Sequence, residues 1–238
     1  MDEIYLSVVI PVYNEGKRIG KTLDQVLVFL RSQAYRSEII VVDDGSRDDS
    51  VRIAQEKLKG FPNRLLLSER NRGKGHAVRR GMLEASGQFV LFTDADLSVP
   101  IEGVKEFLEP LKGGYDYVLG SRALANSRVE IHQSFLREGM GKIFNRIARL
   151  FTFRGIRDSQ CGFKCFTRKA AQDLFSRQRL DGFCFDAEII YLAQKSGYRI
   201  LEAPVMWRNS PQSRVKIFRD PLFMFWDLLR IRWMHRRD

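Results

Sequence analysis

Short, continuous apolar runs alternate with segments of helical periodicity along the first half of the chain. Residues 5–12 form an apolar run interrupted only by Ser7, as in a strand buried on both faces, and residues 16–31 then place apolar side chains every three or four positions. Predicted strands lie at 5–12, 38–42, 64–68, 89–93 and 116–120, and predicted helices at 16–31, 48–58, 75–85 and 101–111. This order predicts an α/β fold whose mostly parallel central sheet is covered by helices on both faces.

The alternation weakens beyond residue 125, where apolar stripes are combined with many basic residues. The elements predicted there are helices at 133–152, 183–195 and 220–234 and a strand at 199–204. We therefore expect one α/β domain over residues 1–207, which includes an amphipathic helix at 133–152. A basic, aromatic-rich helical extension is expected over residues 208–238.

Polar residues cluster directly after four of the predicted strands, where an open α/β sheet binds its ligands. The clusters are residues 13–15, 43–46, 94–96 and 121–122. One such cluster alone is compatible with an ordinary turn or helix cap. Four clusters at the same edge of one sheet predict a functional site there.

Asp94 and Asp96, on either side of Ala95, are the strongest candidates for metal binding. Two carboxylates one residue apart at a strand end can converge on Mg²⁺ or Mn²⁺, with water and phosphate oxygens completing the shell. The alternative is a turn in which an Asp caps the helix that follows Pro100. Because other polar clusters share this edge, we favour the metal site.

Asp43 and Asp44 precede Gly45 and Ser46 in a segment suited to a tight turn and a helix cap. A carboxylate here is also suited to accept hydrogen bonds from a nucleoside base or a ribose. The two roles are compatible, and we predict both.

A glycine-rich basic loop, Asn-Arg-Gly-Lys-Gly-His, occupies residues 71–76 at the start of a predicted helix. Backbone N–H groups and the helix dipole favour an anion there, so Gly73 and Lys74 are candidates for contacting a diphosphate. The spacing is not that of a Walker loop. A solvated turn is the alternative.

Further charged residues with candidate roles lie at 158–164 and 186–188. Asp158 is suited to orient sugar hydroxyls or to act as a base, and Lys164 to meet a phosphate. Asp186 and Glu188 open a predicted helix, where acids are also favoured by the helix dipole. The alternatives are a plain loop for the first segment and simple dipole stabilisation for the second.

The formal net charge of +11 is concentrated in two segments. Residues 135–154 carry five Lys or Arg against one Glu, and residues 208–238 carry eight against three Asp. Basic residues interleaved with Phe and Trp on helices favour an anionic membrane surface over nucleic acid. Packing of both apolar stripes on the core or on a second subunit is the alternative. No apolar run reaches the roughly 18–20 residues of a spanning helix.

Composition and cysteine content indicate a globular protein of a reducing compartment. Apolar residues make up 44% and charged residues 29% of the chain, which excludes general disorder. Three cysteines, an odd number, and no secretory signal at Met1 indicate reduced thiols. We expect a cytoplasmic protein attached peripherally to the cytoplasmic face of a membrane, and self-association is left open.

Taken in order, these motifs resemble the family 2 glycosyltransferases, in particular their polyprenyl-phosphate branch. The resemblance covers residues 5–207 and is carried by six segments. They are Val-Ile-Pro-Val-Tyr-Asn-Glu at 9–15, Val-Asp-Asp-Gly-Ser at 42–46, Asn-Arg-Gly-Lys-Gly at 71–75, Thr-Asp-Ala-Asp at 93–96, Gly-Ser-Arg at 120–122 and Asp-Ser-Gln-Cys-Gly-Phe-Lys at 158–164.

The resemblance implies a GT-A fold, the Rossmann-like fold of nucleotide-diphospho-sugar transferases, and an inverting reaction. It implies a nucleotide-sugar donor, a Mg²⁺ or Mn²⁺ ion held by Asp94 and Asp96, and a polyprenyl-phosphate acceptor. With the motifs above, the predicted nucleotide contacts are Pro11, Tyr13, Glu15, Asp43, Asp44, Gly73, Lys74, Asp94 and Ala95.

The resemblance also implies residues for the acceptor and for the reaction. Arg122, Arg137 and Lys164 are placed near the acceptor phosphate, and Asp158 and Glu188 near the sugar. Of these, we assign Asp158 and Arg122, together with Asp96, to catalysis.

The reaction expected from this resemblance is glucosyl transfer from UDP-glucose to a polyprenyl or dolichyl phosphate. Ser98 stands where many mannosyl-transferring members have Gln, which favours glucose; mannosyl transfer from GDP-mannose is the alternative. A phosphate monoester is largely dianionic at neutral pH and needs little help from a base. Transfer to a saccharide hydroxyl, the other alternative, requires a general base such as Asp158 or Glu188.

Overall fold

A seven-stranded sheet forms the centre of the molecule in the computed structural model, which describes residues 3–131, 135–208 and 220–236. The strands of these residues are β1 (Leu6–Val12), β2 (Ser37–Asp43), β3 (Asn63–Leu67), β4 (Phe89–Thr93), β5 (Tyr117–Ser121), β6 (Arg128–Ile131), β7 (Phe163–Thr167), β8 (Ile200–Pro204) and β9 (Met206–Arg208). The central order is β3-β2-β1-β4-β7-β5-β8, and β6 pairs with β9 in a separate small sheet. All pairs are parallel except the two that involve β7.

Helices cover both faces of the sheet. The helices of the described residues are α1 (Ile19–Arg31), α2 (Ser50–Lys57), α3 (Lys74–Glu84), α4 (Val104–Lys112), α5 (Phe135–Phe151), α6 (Arg168–Arg177), α7 (Phe185–Lys195) and α8 (Asp220–Met234), and a short 3₁₀ turn at Ile101–Gly103 precedes α4. One core layer lies between the sheet and α1 and α4. The other layer lies between the opposite face and α3, α6 and α7, with α5 and α8 outside them.

The predicted α/β fold with a mostly parallel sheet is confirmed. β1 and β2 are buried at nearly every position, as their continuous apolar runs require. Each predicted strand and helix is present with its ends shifted by a few residues. The start of the helix predicted at 133–152 lies outside the described residues, which resume at Phe135.

β7 was missed by the sequence patterns, although it lies in the middle of the sheet. It runs antiparallel between β4 and β5 and carries Lys164 at its second position. A lysine interrupts the apolar run that identifies a buried strand, so the sequence patterns predict no strand there. α6 follows β7 at once, with the hydroxyl of Thr167 accepting from the Ala170 N–H at 3.3 Å as an N-cap.

α8 packs against the body of the α/β domain. Leu228, Ile231 and His235 are fully buried, and α8 contacts α5 and α7. Residues 209–219, the first part of the predicted extension, lie outside the described residues. Among the helices that the structure describes, none has both the length and the apolar character required to span a bilayer.

Candidate active site

The loop after β4 presents two carboxylates at the carboxyl edge of the sheet. The Asp94 N–H donates to the Gly162 carbonyl and the Leu97 N–H to the Asp94 carbonyl, both at 3.1 Å, while Leu97 adopts a φ of 45°. The Ser98 N–H donates to Asp96 Oδ1 at 3.0 Å. This tight turn leaves the side chains of Asp94 and Asp96 half-buried at the same edge.

Ala95, between the two aspartates, anchors this loop to α1. Its side chain is buried, and its carbonyl accepts a hydrogen bond from the Thr22 hydroxyl at 2.6 Å. The predicted contact of Ala95 with a nucleotide stays a prediction; what the structure adds is that Ala95 fixes the backbone between the two carboxylates.

The donor set fits a hard divalent cation that is shared with a diphosphate. No group of three or more His, Cys, Asp or Glu side chains within residues 3–131, 135–208 and 220–236 is arranged to hold a metal ion. Mg²⁺ at phosphate sites is bound through one or two carboxylates, with water and phosphate oxygens completing the shell. Asp94 and Asp96 match this requirement.

Lys74, the first residue of α3, lies at the same edge as the two aspartates. Its Nζ is 2.7 Å from Asp94 Oδ1. Burial lowers the pKa of Lys74, but the charges of Asp94 and Asp186 outweigh burial and raise it above its usual value. Lys74 is therefore a permanent positive charge beside the carboxylate pair.

Gly162 closes the other side of Asp94. A Cβ atom at position 162 would lie 1.9 Å from Asp94 Oδ2, so any side chain there would displace the carboxylate. β7 begins at the next residue, and the Gly162 carbonyl also accepts from the Asp94 N–H. Gly162, within the motif at 158–164, thus helps to fix the position of the Asp94 carboxylate.

Asp44 holds the glycine-rich loop together. Its carboxylate accepts from the Arg72 N–H at 3.0 Å and from the Gly73 N–H at 2.8 Å, and it is 2% exposed. The N–H groups of Arg72 and Gly73, two of those in the glycine-rich loop, are thus occupied by this carboxylate. Asp44 and Gly73 thus shape the loop that carries Lys74, and their predicted nucleotide contacts stay predictions.

Asp43 retains one carboxylate oxygen for a ligand. Its Oδ2 accepts from the Gly45 and Ser46 N–H groups at 3.0 and 2.9 Å, and Gly45 takes the positive φ of 78° that this turn requires. Its Oδ1 is buried without a hydrogen-bond partner among the described residues. Because an unpaired buried oxygen is costly, it is suited to accept from a bound nucleoside, as predicted for Asp43.

The end of β1 contributes Pro11, Tyr13 and Glu15. Pro11 and Tyr13 are half-buried at the edge of the sheet. The Glu15 N–H donates to the Ser50 hydroxyl at 2.7 Å, and the Glu15 carboxylate accepts from Arg18 Nη2 at 2.7 Å. The structure leaves these three residues beside the predicted nucleotide site, and their direct contacts stay predictions.

Arg18 is a candidate that the sequence patterns missed. Burial lowers its pKa, but the hydrogen bond with Glu15 and the charges of Glu15, Asp96 and Asp94 outweigh burial and raise it above its usual value. Arg18 thus lies within the field of the carboxylate pair. A basic residue between β1 and α1 was the available signal, but the sequence does not show that the charges of Asp94 and Asp96 act on it.

Arg122, directly after β5, forms a bidentate ion pair with Asp158. Its Nε donates to Oδ2 at 2.7 Å and its Nη2 to Oδ1 at 2.9 Å, while its main-chain N–H donates to Oδ2 at 3.0 Å. Burial raises the pKa of Asp158, but the charge and hydrogen bonds of Arg122 outweigh burial and hold it below its usual value.

The carboxylate of Asp158 is committed to Arg122. The Gln160 N–H also donates to its Oδ1 at 3.2 Å, and the residue is 3% exposed. Both carboxylate oxygens of Asp158 are engaged, and the positive charge of Arg122 keeps the carboxylate ionised. These contacts favour a role in fixing the orientation of Arg122, and the predicted role of Asp158 as a base or sugar ligand stays a prediction.

Lys164 lies inside the protein. Its Nζ is 2.6 Å from Asp186 Oδ1 and donates to the Cys161 carbonyl at 2.6 Å, and the residue is 1% exposed. Burial raises the pKa of Asp186, although Lys164 and Lys74 oppose that effect. β7 places this lysine within the sheet, so its described contacts do not support the predicted contact with the acceptor phosphate, which stays a prediction.

Glu188 is also removed from the predicted sugar site. It is fully buried and accepts from the Arg179 and Leu180 N–H groups at 2.8 and 2.9 Å. The imidazole of His235 lies 2.6 Å away. Its carboxylate faces the packing of α7 against α8, so we expect a structural role, and sugar binding by Glu188 is a prediction that its described contacts do not support.

Arg137 lies within α5, but its side chain is outside the described part of the structure. Its predicted contact with the acceptor phosphate stays a prediction.

A mostly parallel α/β sheet with two carboxylates at its carboxyl edge is the arrangement expected of a nucleotide-sugar transferase. The family model "Glycosyl transferase family 2" matches residues 7–175. The chain belongs to this family, which confirms the predicted membership.

Curated relatives resemble the chain over nearly its whole length. The dolichyl-phosphate β-glucosyltransferase of Dictyostelium discoideum is 36% identical, over 99% of this chain and 76% of the relative. The enzymes of that name from Saccharomyces cerevisiae and Homo sapiens are each 35% identical, over 97% and 95% of this chain and 75% and 74% of their own lengths.

Solved structures share the fold. Glucosyl-3-phosphoglycerate synthase from Mycobacterium tuberculosis, in complex with UDP, matches with a TM-score of 0.69 at 19% identity, over 95% of this chain and 80% of that one. The same protein with Mn²⁺, UDP-glucose and glycerol 3-phosphate matches with a TM-score of 0.65 at 19% identity, over 96% and 78%. The predicted GT-A fold is confirmed.

Proposed function

We propose that this chain transfers glucose from UDP-glucose to the phosphate of a polyprenyl lipid and inverts the anomeric centre. The observation that carries the proposal is the identity of 35–36% with three dolichyl-phosphate β-glucosyltransferases over at least 95% of the chain. The site geometry supports the same kind of acceptor independently.

The charged groups of the site suit a phosphate acceptor better than a hydroxyl. A hydroxyl acceptor needs a general base, and the two predicted candidates are engaged elsewhere: Asp158 is paired with Arg122 and Glu188 is buried. A phosphate is already anionic at neutral pH and has to be held by a cation in place. Arg122, which is partly exposed and rigidly oriented, supplies such a cation.

The donor would bind at the carboxyl ends of β1, β2 and β4. Asp43 Oδ1 is suited to the nucleoside, and Asp94 and Asp96 would hold Mg²⁺ or Mn²⁺. When bound there, the ion would neutralise charge on the departing diphosphate. Lys74 adds a second positive charge at the same edge, so the leaving group would meet fixed cations rather than water.

An exposed aromatic surface supports peripheral membrane contact. It consists of Ile143, Leu150 and Phe151 of α5 and Phe225, Trp226, Leu229 and Trp233 of α8. The rings of Phe151 and Phe225 lie 6.4 Å apart and join the two helices. The same two helices carry exposed arginines at 146, 149, 230 and 232, as expected of a surface that binds anionic lipid.

The test is an assay of product in the organic phase. The protein is incubated with Mg²⁺ or Mn²⁺, a polyprenyl phosphate and labelled UDP-glucose or GDP-mannose, and free oligosaccharides are offered in parallel. We expect label in the lipid fraction from UDP-glucose. Label in the lipid from GDP-mannose alone would contradict the proposed sugar, and label in an oligosaccharide would contradict the acceptor.

A further inference from the structure

Arg122 contacts an aromatic ring in addition to the carboxylate of Asp158. Its guanidinium carbon lies 5.3 Å from the ring centroid of Trp207 on β9. Trp207 is 7% exposed, while the side chain of Arg122 is 27% exposed. The indole therefore lies beneath the guanidinium and leaves its outer side accessible.

The ring restricts a movement that the ion pair permits. Asp158 binds Nε and Nη2 along one edge of the guanidinium and fixes its direction within the plane. The plane itself can still tilt about that edge. A ring packed against the face of the cation opposes the tilt and adds a cation–π attraction, and the Nη1 edge, which Asp158 does not use, is thereby held in one orientation.

Trp207 is itself fixed to the loop that carries the two carboxylates. It pairs with Val129 of β6, and the N–H of the next residue, Arg208, donates to the Ser98 carbonyl at 2.8 Å. The Ser98 N–H in turn donates to Asp96 Oδ1 at 3.0 Å. Two adjacent residues of β9 thus support Arg122 and the carboxylate loop together.

We propose that Trp207 is a positioning residue that sets Arg122 for the acceptor phosphate. This inference rests on the proposed function, in which Arg122 holds that phosphate. Trp207 is buried and acts through Arg122 rather than by touching substrate. If Trp207 served only in core packing, its replacement would change the KM values for donor and acceptor by similar factors.

The test compares Trp207→Leu, which removes the ring, with Trp207→Phe, which retains one. Both are assayed with UDP-glucose and a polyprenyl phosphate in detergent, so that membrane binding does not contribute. For Trp207→Leu we expect the KM for the lipid phosphate to rise roughly tenfold, the scale of one partly desolvated cation–π contact. The KM for UDP-glucose and the calorimetric affinity for UDP with Mn²⁺ should stay unchanged, and Trp207→Phe should restore most of the acceptor KM.

The matched control is Tyr115→Leu. The guanidinium of Arg199 lies 4.8 Å from the Tyr115 ring, so this variant removes an equivalent contact outside the site. It should leave both KM values unchanged. Equal changes in the donor and acceptor KM of Trp207→Leu, or a Trp207→Phe variant no better than Trp207→Leu, would overturn the proposal.

A readout without turnover separates this inference from the proposed function. The Nε–H of Arg122 can be followed by ¹⁵N NMR and assigned by its loss in Arg122→Lys. We expect its exchange with water to be slow in the wild type and in Trp207→Phe and faster in Trp207→Leu. Failure of the wild type to make lipid-linked glucose would refute the proposed function. Unchanged Nε–H exchange in Trp207→Leu would refute the positioning role.

Discussion

His235 Nε2 lies 2.6 Å from Glu188 Oε1, and both side chains are fully buried. The pair joins the turn after α8 to the first part of α7. Two further bonds fasten the same end of α8, because Arg179 donates to the Met234 carbonyl and Lys195 to the His235 carbonyl. The last helix is therefore joined to the body that carries the active site.

We predict that Glu188→Ala destabilises the fold without changing substrate recognition. The variant leaves the His235 imidazole and two backbone N–H groups without their acceptor, which costs at least about 3 kcal/mol of unfolding free energy. Urea unfolding measures this loss. In the protein that remains folded, the KM values for donor and acceptor should match those of the wild type. A raised KM together with normal stability would instead indicate that Glu188 contacts the substrate.

Gly162→Ala should inactivate the enzyme through Asp94. The new methyl group would overlap Asp94 Oδ2, and a displacement of about 1 Å at a reacting site typically costs about a hundredfold in rate. Turnover and circular dichroism are measured together, so that loss of activity is separated from loss of fold. Gly182→Ala is the matched control, because a Cβ there meets no atom within 4 Å. Normal activity of Gly162→Ala would show that Asp94 need not keep its position.

Asp96→Asn should nearly abolish turnover with the fold intact. The substitution preserves the hydrogen bond from the Ser98 N–H through the amide oxygen but removes a charge that holds the metal ion. The rate should fall at least about a hundredfold, since such an ion supplies several kcal/mol of charge stabilisation. EDTA should inactivate the wild type, and Mn²⁺ should restore it. Full wild-type activity in EDTA would contradict the metal site.

The ion pair of Asp158 with Arg122 should make stability depend on pH in the acid range. The pKa of Asp158 is below its ordinary value of 3.8 in the folded protein, so the unfolded chain takes up the proton first as pH falls. The ion pair contributes its full stabilisation above the pKa that Asp158 has in the unfolded chain. This stabilisation is lost as the pH falls through the lower pKa that Asp158 has in the folded protein. Asp158→Asn should be less stable than the wild type near neutral pH, and the difference should narrow below pH of about 4. A difference that is constant with pH would contradict the ionised pair.

The aromatic surface should bind anionic vesicles. Replacing both Trp226 and Trp233 by Ser should weaken sedimentation with vesicles that contain phosphatidylglycerol by about tenfold or more, because two large exposed rings are lost. Salt should weaken binding of the wild type as it screens the arginines. Leu67→Ser, on the exposed edge strand β3, is the control and should bind normally. Equal binding of all three proteins would indicate that the surface serves another purpose, such as contact with a second copy.

Features that depend only on neighbouring residues are visible in the sequence. β1, β2 and β4 were predicted because their apolar runs are continuous, and Asp94 and Asp96 because they follow such a run directly. Asp43 was predicted on the same basis. These features are local, so the sequence alone shows them.

The partners of charged residues were the features that the patterns could not predict. Asp44 meets backbone N–H groups 28 and 29 positions later, and Arg122 meets Asp158 36 positions later. The ion pair of Lys164 with Asp186 is likewise invisible in the sequence, because it depends on β7, which carries the lysine into the sheet. The signal for β7 was hidden by that same lysine.

The sequence by itself determined the α/β class, the order of its elements and the two carboxylates that follow a buried strand, because periodicity and strand ends are properties of neighbouring residues. Only the tertiary structure decided which ionisable groups remain at the site and which are paired inside the protein. That outcome depends on burial and on contacts between distant segments, since a charge is retained in the interior only where an opposite charge or hydrogen bonds compensate for the loss of water.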